Sequence, residues 1–460
     1  MSIMGVLGVL GPRSCAVAYI SYVLATGVTT PRAILAAYLI VIAACRWARQ
    51  RYLRSLEGCE DPFPLAYQIA FLEFPFMYDA GTSFGFFNTF AIPSISAVLD
   101  HSQGFAVCPQ VRYDDTAILM HEVGEFGPRS RRGAAALARV NAIHARWPGI
   151  RRDDMAYTLW VFLFEPQRWI ERYEWRVLSS GEKDALWRFW REVGVGLNIA
   201  DLPETSDTFE AWGVAYEKQK YAARPANERL TEAVLLAAAR WGPPTSAAAA
   251  KEVDGAAQAT LEGSASVRLK RRILVEVITA LCPNPPLLAA IGLAKEDGGD
   301  ATATATATAA TATAAKVSRV AVSLALRFAL ALRALFIGLL LPPRPQWWPG
   351  TVLAPQANAA SSADANTFSN CSSSSSSSSS SNKSSSSKEG EGEGKGNGEN
   401  DEEPVLQLGC PYHFLSYKEK GTYRLSELGR PASHYKLLQQ QQQQPVPVQV
   451  QKKRGAAAGL

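Results

Sequence analysis

Metal ribbons and disulfide frameworks find little support in this chain. Its seven cysteines (Cys15, Cys45, Cys59, Cys108, Cys282, Cys371, Cys410) are odd in number, scattered, and never spaced as CxxC. Neither a disulfide scaffold nor a zinc ribbon follows from that pattern. A strong basic excess is missing too. The formal net charge is only +5, short of the basic face that a nucleic-acid binder presents, so no nucleic-acid partner is expected. Histidine is scarce: of His101, His121, His144, His413 and His434, only His121 and His144 fall in helical patterns. Three tracts lack the complexity needed to build a core, and no fold is expected in them: the Ala-Thr alternation from Ala301 to Ala315, the Ser-Gly-Glu tract from Ser361 to Glu403, and the glutamines from Gln439 to Gln444.

What remains is substantial. Hydrophobic residues make up 47% of the 460, enough for a full core, and from Asp61 to Tyr221 the chain is dense in aromatics with helical apolar spacing. The run Ala134 to Trp147 places Leu137, Val140, Ile143, His144 and Trp147 at spacings of three and four, an apolar helix face that includes His144. Asp153 and Asp154 suit the start of a following helix, MAYTLWVFLF, which is apolar on nearly all sides and so buried. Ser179 or Ser180, with Glu182, can cap another. Helical pattern continues from Arg224 to Leu281, interrupted near Trp241 to Ser246. The fold class expected is mainly α: a helical bundle with an amino-terminal transmembrane helix and disordered insertions.

The anchor is read from Ser14 to Cys45, where Arg32 is the single formal charge. Ala33 to Cys45 alone is too short to span a bilayer, which takes about 20 residues, and extension back through Ala16 to Val28 supplies the length. Arg46, Arg49, Arg51 and Arg54 follow the apolar run, which argues against a signal peptide and places the catalytic part in the cytosol. A buried core helix is the bland alternative. A second apolar stretch, Val320 to Leu341, carries Arg327 and Arg333, which disfavour a span and favour a helix lying at the interface. The organisation expected is an anchor with a basic segment (1–60), a catalytic domain (61–295), an Ala/Thr insertion (296–316), an interfacial helix (317–350), a disordered tract (351–403) and a docking carboxy-terminal segment with a Gln-rich tail (404–460). Asn370 and Asn382 begin glycosylation patterns that a cytosolic carboxy terminus would leave bare.

Three blocks carry the chemistry: RYDDTAILMHEVGEF (Arg112 to Phe126), VNAIHARW (Val140 to Trp147) and FLFEPQRWIERYEWR (Phe162 to Arg176). With the upstream GFFNTFAIPSISAVL (Gly85 to Leu99) and the later GTYRLSELG (Gly421 to Gly429), they resemble the family of endoplasmic-reticulum-bound oxygenases of the mpaB type and bacterial rubber oxygenases. The likeness spans about Leu72 to Ala237.

The resemblance implies a helical bundle around a pocket for haem b, with the iron held by a histidine corresponding to His144. A distal arginine and threonine correspond to Arg112 and Thr116, and Arg112 could instead pair with a propionate. The lysine of the rubber-oxygenase branch is absent, with Asp115 in its place, so the mpaB-type branch is the nearer. Also implied are molecular oxygen as co-substrate, oxidation or cleavage of a C=C bond in a lipophilic, terpenoid-like molecule, and an endoplasmic-reticulum membrane location. By residue chemistry alone, His144 reads as a core histidine, while an imidazole in an aromatic-rich bundle is also what haem iron takes.

Two other readings stand beside this one. HEVGE, with His121, Glu122 and Glu125, approaches the HExxH zinc helix but ends in Glu, lacking the second histidine that such a site requires; a metal-dependent hydrolase there, or a non-catalytic membrane protein of the same fold, are the alternatives. Glu165, Arg168, Arg172 and Glu174 could bind a charged group, but their helical spacing fits an ion network that braces the helix. Trp169, Tyr173 and Trp175 read as core.

Overall fold

The computed structural model describes residues 31–240, 265–294 except 283, 309–344, 403–407 and 422–433 except 432. Helices dominate them, as the sequence predicts. In chain order they are α1 (Pro31–Leu56), α2 (Phe63–Tyr67) running into a π-helical stretch (Gln68–Glu73), α3 (Pro75–Phe90), α4 (Pro93–His101), α5 (Gly104–Val107), α6 (Pro109–Phe126) and α7 (Arg131–His144). Then follow α8 (Arg152–Tyr173), α9 (Ser180–Gly196), α10 (Ser206–Lys220), α11 (Pro225–Arg240), α12 (Ala265–Leu281), α13 (Pro285–Ala290) and α14 (Ala309–Leu340). A two-residue antiparallel pair, β1 (Leu406–Gln407) with β2 (Thr422–Tyr423), sets Leu406 opposite Tyr423.

Local chemistry starts these helices. Proline fixes the first turn of α3, α4 and α6, where its missing N–H costs nothing. Ser130 accepts from the Gly133 amide at 2.9 Å to open α7, and Ser179 with Glu182 forms the expected capping box of α9. Asp153 and Asp154 do lie in the first turn of α8.

The centre of the bundle is α8, with Tyr157, Trp160, Val161 and Ile170 wholly buried. Its tightest partner is α3. A Cβ on Gly81 would lie 2.5 Å from the Pro166 Cα, and one on Gly85 2.5 Å from a Val161 methyl. Two glycines one turn apart thus let the antiparallel backbones of α3 and α8 close together. After α3 the chain turns through 94° into α4. The fully buried Asn227 of α11 braces that corner, accepting from Ser96 at 2.6 Å while donating to the Ala222 and Ala290 carbonyls at 2.9 Å.

The amino-terminal span falls partly on residues 1–30, outside the described ones. Its apolar half, Ala33 to Cys45, forms the start of α1. Two of the four arginines that set the expected orientation serve the domain itself: Arg49 pairs with Glu73 at 3.2 Å, and Arg46 lies over the Trp175 ring and donates to the Ile337 and Leu341 carbonyls. Among the described residues, the helix long and apolar enough to cross a membrane is instead Val320–Leu340 of α14.

The arginines that argued against a span in that stretch are drawn toward the domain, where Arg327 donates to the Ala280 carbonyl at 3.2 Å and Arg333 pairs with the buried Glu174 at 3.0 Å. The opposite face, with Leu324, Phe328, Leu332, Leu335, Phe336 and Leu339, is exposed. The Ala-Thr alternation is also partly helical, since α14 begins at Ala309; alanine's helix propensity and continuity with the apolar run account for it. The Ser tract before Glu403, the glutamine tract, Asn370 and Asn382 lie outside the described residues.

Candidate functional site

A cavity of about 920 Å³ runs through the bundle, at the upper end of what small-molecule sites offer. One face of α3 supplies Phe76, Asp79, Thr82, Phe86 and Thr89 at helical spacing. From α6 come Arg112, Asp115, Thr116, Leu119 and Val123, and from α8 and α9 Thr158, Phe162, Trp190 and Val193. The predicted apolar face of the His144 helix is another wall: Leu137, Val140, Ile143, His144 and Trp147 all line the space. The π-helical stretch contributes Ala70 and Phe71, in keeping with the frequent use of such irregular turns at functional sites.

Arg112, Thr116 and His144 therefore share one cavity. Arg112 donates to the Thr116 hydroxyl, which in turn donates to the Arg112 carbonyl at 3.1 Å, one turn back along α6. The Arg112 guanidinium lies 5.4 Å from the Phe105 ring centroid. His144 closes α7, and its Nδ1 is buried without a hydrogen-bond partner. Burial, reinforced by the nearby Arg112 charge, pushes the ring down to about 4. The imidazole is accordingly neutral at physiological pH, with a lone pair free to bind an electrophile.

Asp115 has a different task from the lysine it stands in for. Its buried carboxylate accepts the Gly429 amide at 2.8 Å. That bond is one of several that fasten the carboxy-terminal segment across α6 and α7. Arg132, Arg139 and Arg146 recur every seven residues, two turns apart, and each reaches the segment. Arg132 donates to the Tyr423 hydroxyl at 3.2 Å, Arg139 to the Ser426 carbonyl at 2.7 Å and the Leu428 carbonyl at 3.0 Å, and Arg146 to the Gly429 carbonyl at 2.5 Å. Gly429 has φ +65°, and a Cβ there would collide with Ile143, so both conformation and space require glycine. Gly429, Arg430 and Pro431 then complete the cavity wall. Docking of this segment was legible in its aromatics; its anchors were not, although the seven-residue arginine spacing is visible in the sequence.

The HEVGE block is built as a structural network. Glu122 receives both Arg132 Nε and Nη2 (2.8 and 2.7 Å) and the Tyr423 hydroxyl, and is wholly buried. His121 Nδ1 lies 2.8 Å from Glu125 Oε1. Among the described residues no three His, Cys, Asp or Glu side chains converge as metal ligands.

The bracing role read for the acidic and basic residues of α8 fits as well. Arg168 pairs with Glu165 at 2.9 Å and Glu210 at 3.2 Å while covering the Trp160 ring, and Arg172 lies near the Tyr173 ring. None of them lines the cavity, and Trp169 and Tyr173 are core.

Several polar cavity groups escaped the sequence reading. Asp79 and Thr82 are polar positions three apart on a helix rich in aromatics, a signal open to inspection. Asp154, read as a helix-start residue, also borders the cavity and accepts from Ser94 at 2.8 Å and Tyr216 at 2.7 Å.

A family profile described as "ER-bound oxygenase mpaB/B′/Rubber oxygenase, catalytic domain" matches residues 71–344. Among curated proteins, ER-bound oxygenase mpaB of Penicillium brevicompactum is 31% identical over 242 residues, covering 46% of this chain and 62% of that protein. ER-bound oxygenase mpaB′ of the same organism is 34% identical over 198 residues, 38% of this chain and 47% of its own length. The mpaB of Penicillium roqueforti (strain FM164) is 32% identical over 213 residues, 40% and 71% respectively. The chain thus spans less than two thirds of the length of the two Penicillium brevicompactum relatives. No solved structure matches it.

Proposed function

This chain belongs to the family of ER-bound oxygenases mpaB and mpaB′ and rubber oxygenases, and on that premise we propose that it is a membrane-associated, haem-dependent oxygenase. Its substrate class is a lipophilic, terpenoid-like molecule whose C=C bond is oxidised or cleaved with molecular oxygen. The observation that carries the reading is His144: a neutral imidazole whose Nδ1 has no partner, on the wall of a large apolar cavity shared with Arg112 and Thr116. A buried polar atom left unpaired costs about 1–3 kcal/mol. Engagement of the ring by a bound group is one way to offset that cost, and the residues present fit haem b.

His144 would hold the iron. When bound, the haem supplies oxygen binding and activation. Everything else falls to the chain itself. The aromatic walls from α3, α8 and α9 exclude water and receive an apolar substrate. Arg112, fixed by its bond to Thr116, presents a cation inside the cavity, where it can bind a propionate or stabilise negative charge developing on oxygen. Asp115, engaged with Gly429, offers no ammonium-like donor, so the distal side has no lysine to close it as in the rubber-oxygenase branch.

The membrane reading follows the relatives' names, which describe them as ER-bound, and the exposed apolar face of α14. An endoplasmic-reticulum location with the catalytic domain in the cytosol belongs to this proposal.

An absorption spectrum with metal analysis of the purified full chain tests the assignment. A Soret band with iron, lost or shifted in His144→Ala, is expected. Zinc without iron, or colourless protein after haem supplementation, would reject it.

A further inference from the structure

The apolar exterior and the cavity meet at one place. The helix α14 lays one stripe, including Leu326 and Leu330, on the core, and leaves the opposite stripe bare, with Phe328 65% exposed. Its unburied apolar length, Val320–Leu340, corresponds to about 30 Å, close to the thickness of a bilayer's hydrocarbon. The amino-terminal half of α1 extends that surface with Ile34, Leu35 and Ile40 exposed, and Tyr38 ties it to the end of α14 through the Leu340 carbonyl at 2.6 Å. An exposed apolar surface of this extent is a contact surface. Lipid is the occupant that fits, because the stripe of Leu324, Phe328, Leu332, Leu335, Phe336 and Leu339 is uncharged, Arg333 pairs with Glu174 on the protein side, and the exposed Arg327, at the flank of the stripe, reaches back to the Ala280 carbonyl.

Phe76 joins the two features. It is 54% exposed on the outside, lines the cavity on the inside, and lies 4.7 Å under the Arg333 guanidinium of α14. Arg344, just beyond the end of α14, is also exposed and borders the cavity. From Phe76 the cavity follows α3 to Thr89, about 20 Å of helix. The antiparallel packing of α3 and α8 places Thr89 with the early residues of α8, toward the His144 end.

We infer that the cavity opens sideways into the bilayer at Phe76 and Arg344. The paired faces of α1 and α14 sit in lipid, and a lipophile dissolved there enters past Phe76 and extends its apolar chain along α3. Residence in lipid removes the need to draw the substrate through water, where its concentration is negligible. This route rests on the lipophilic-substrate reading above and supplies its path.

Full-length protein in phosphatidylcholine nanodiscs, with the photo-crosslinker p-benzoylphenylalanine at position 76, 336 or 195, tests the geometry. Lipid adducts by mass spectrometry are expected at 76 and 336, and none at Val195, an exposed residue of α9. Adducts at 336 without 76 would overturn the opening, and equal labelling at all three would overturn the membrane face.

Entry is tested with cis-parinaric acid, followed by its fluorescence. Uptake from phosphatidylcholine vesicles should slow at least tenfold in Phe76→Asp, and by a clearly larger factor than its equilibrium binding from detergent weakens. Unchanged uptake would refute the route. None of these signals depends on iron, so a colourless protein that forms the adducts would sink the oxygenase reading and leave the portal standing. A haem-loaded protein without adducts would do the reverse.

Discussion

The backbone amide of Gly429 donates to the buried carboxylate of Asp115 at 2.8 Å, joining residues 314 positions apart. Since the Gly429 carbonyl also accepts from Arg146, a single glycine is held by α6 on one side and by the turn just after His144 on the other. The strap is thereby part of the cavity that the imidazole lines.

Asp115→Ala removes the charged acceptor, a bond of about 1.5–3 kcal/mol. Hydrogen exchange of residues 422–430 should accelerate about 10- to 100-fold. Asp115→Asn, which keeps an acceptor oxygen, should fall between this variant and the wild type. Equal exchange in Asp115→Ala and wild type would show that the arginines alone hold the segment.

Arg132→Met leaves Glu122 buried and uncompensated, which costs about 3–5 kcal/mol. Tyr423→Phe removes one hydroxyl bonded to that carboxylate and should cost less, about 1.5–3 kcal/mol. Urea denaturation in detergent ranks the two, and similar losses would mean that the carboxylate is not held mainly by the guanidinium.

Glu217 of α10 accepts from Tyr157 at 2.9 Å and Tyr221 at 2.7 Å. Burial outweighs those bonds and raises its carboxyl above the usual value. A carboxyl whose folded value lies above its unfolded one contributes stability at pH below the unfolded value, lost as pH rises through the folded value. Glu217→Gln abolishes that term. The variant should gain thermal stability relative to wild type on going from pH 4.5 to pH 8, and a constant difference between the two melting curves would contradict the sign.

Gly81→Ala sets a methyl against the Pro166 backbone, whereas Gly85→Ala meets a Val161 methyl that can rotate. Overpacking of about 1–3 kcal/mol at position 81 should exceed the helix-propensity gain of about 1 kcal/mol. Thermal melts should therefore show Gly81→Ala destabilised and Gly85→Ala less affected; the reverse order would indicate that the two helices can separate at Pro166.

Local pattern made much of this protein readable in one dimension. The periodicity of Leu137, Val140, Ile143, His144 and Trp147 marked one helix face because helical spacing is set by backbone geometry alone, and Ser179 with Glu182 marked a helix start because a cap is satisfied within three residues. The helical class and the family's blocks were legible for the same reason. Long-range pairing was not. That Arg327 and Arg333 reach back to the domain, that Arg46 holds α14, and that Asp115 fastens Gly429 depend on which surfaces meet after folding. A charge in the sequence carries no record of its partner, and only the packed structure decides whether it faces lipid, a cavity or another charge.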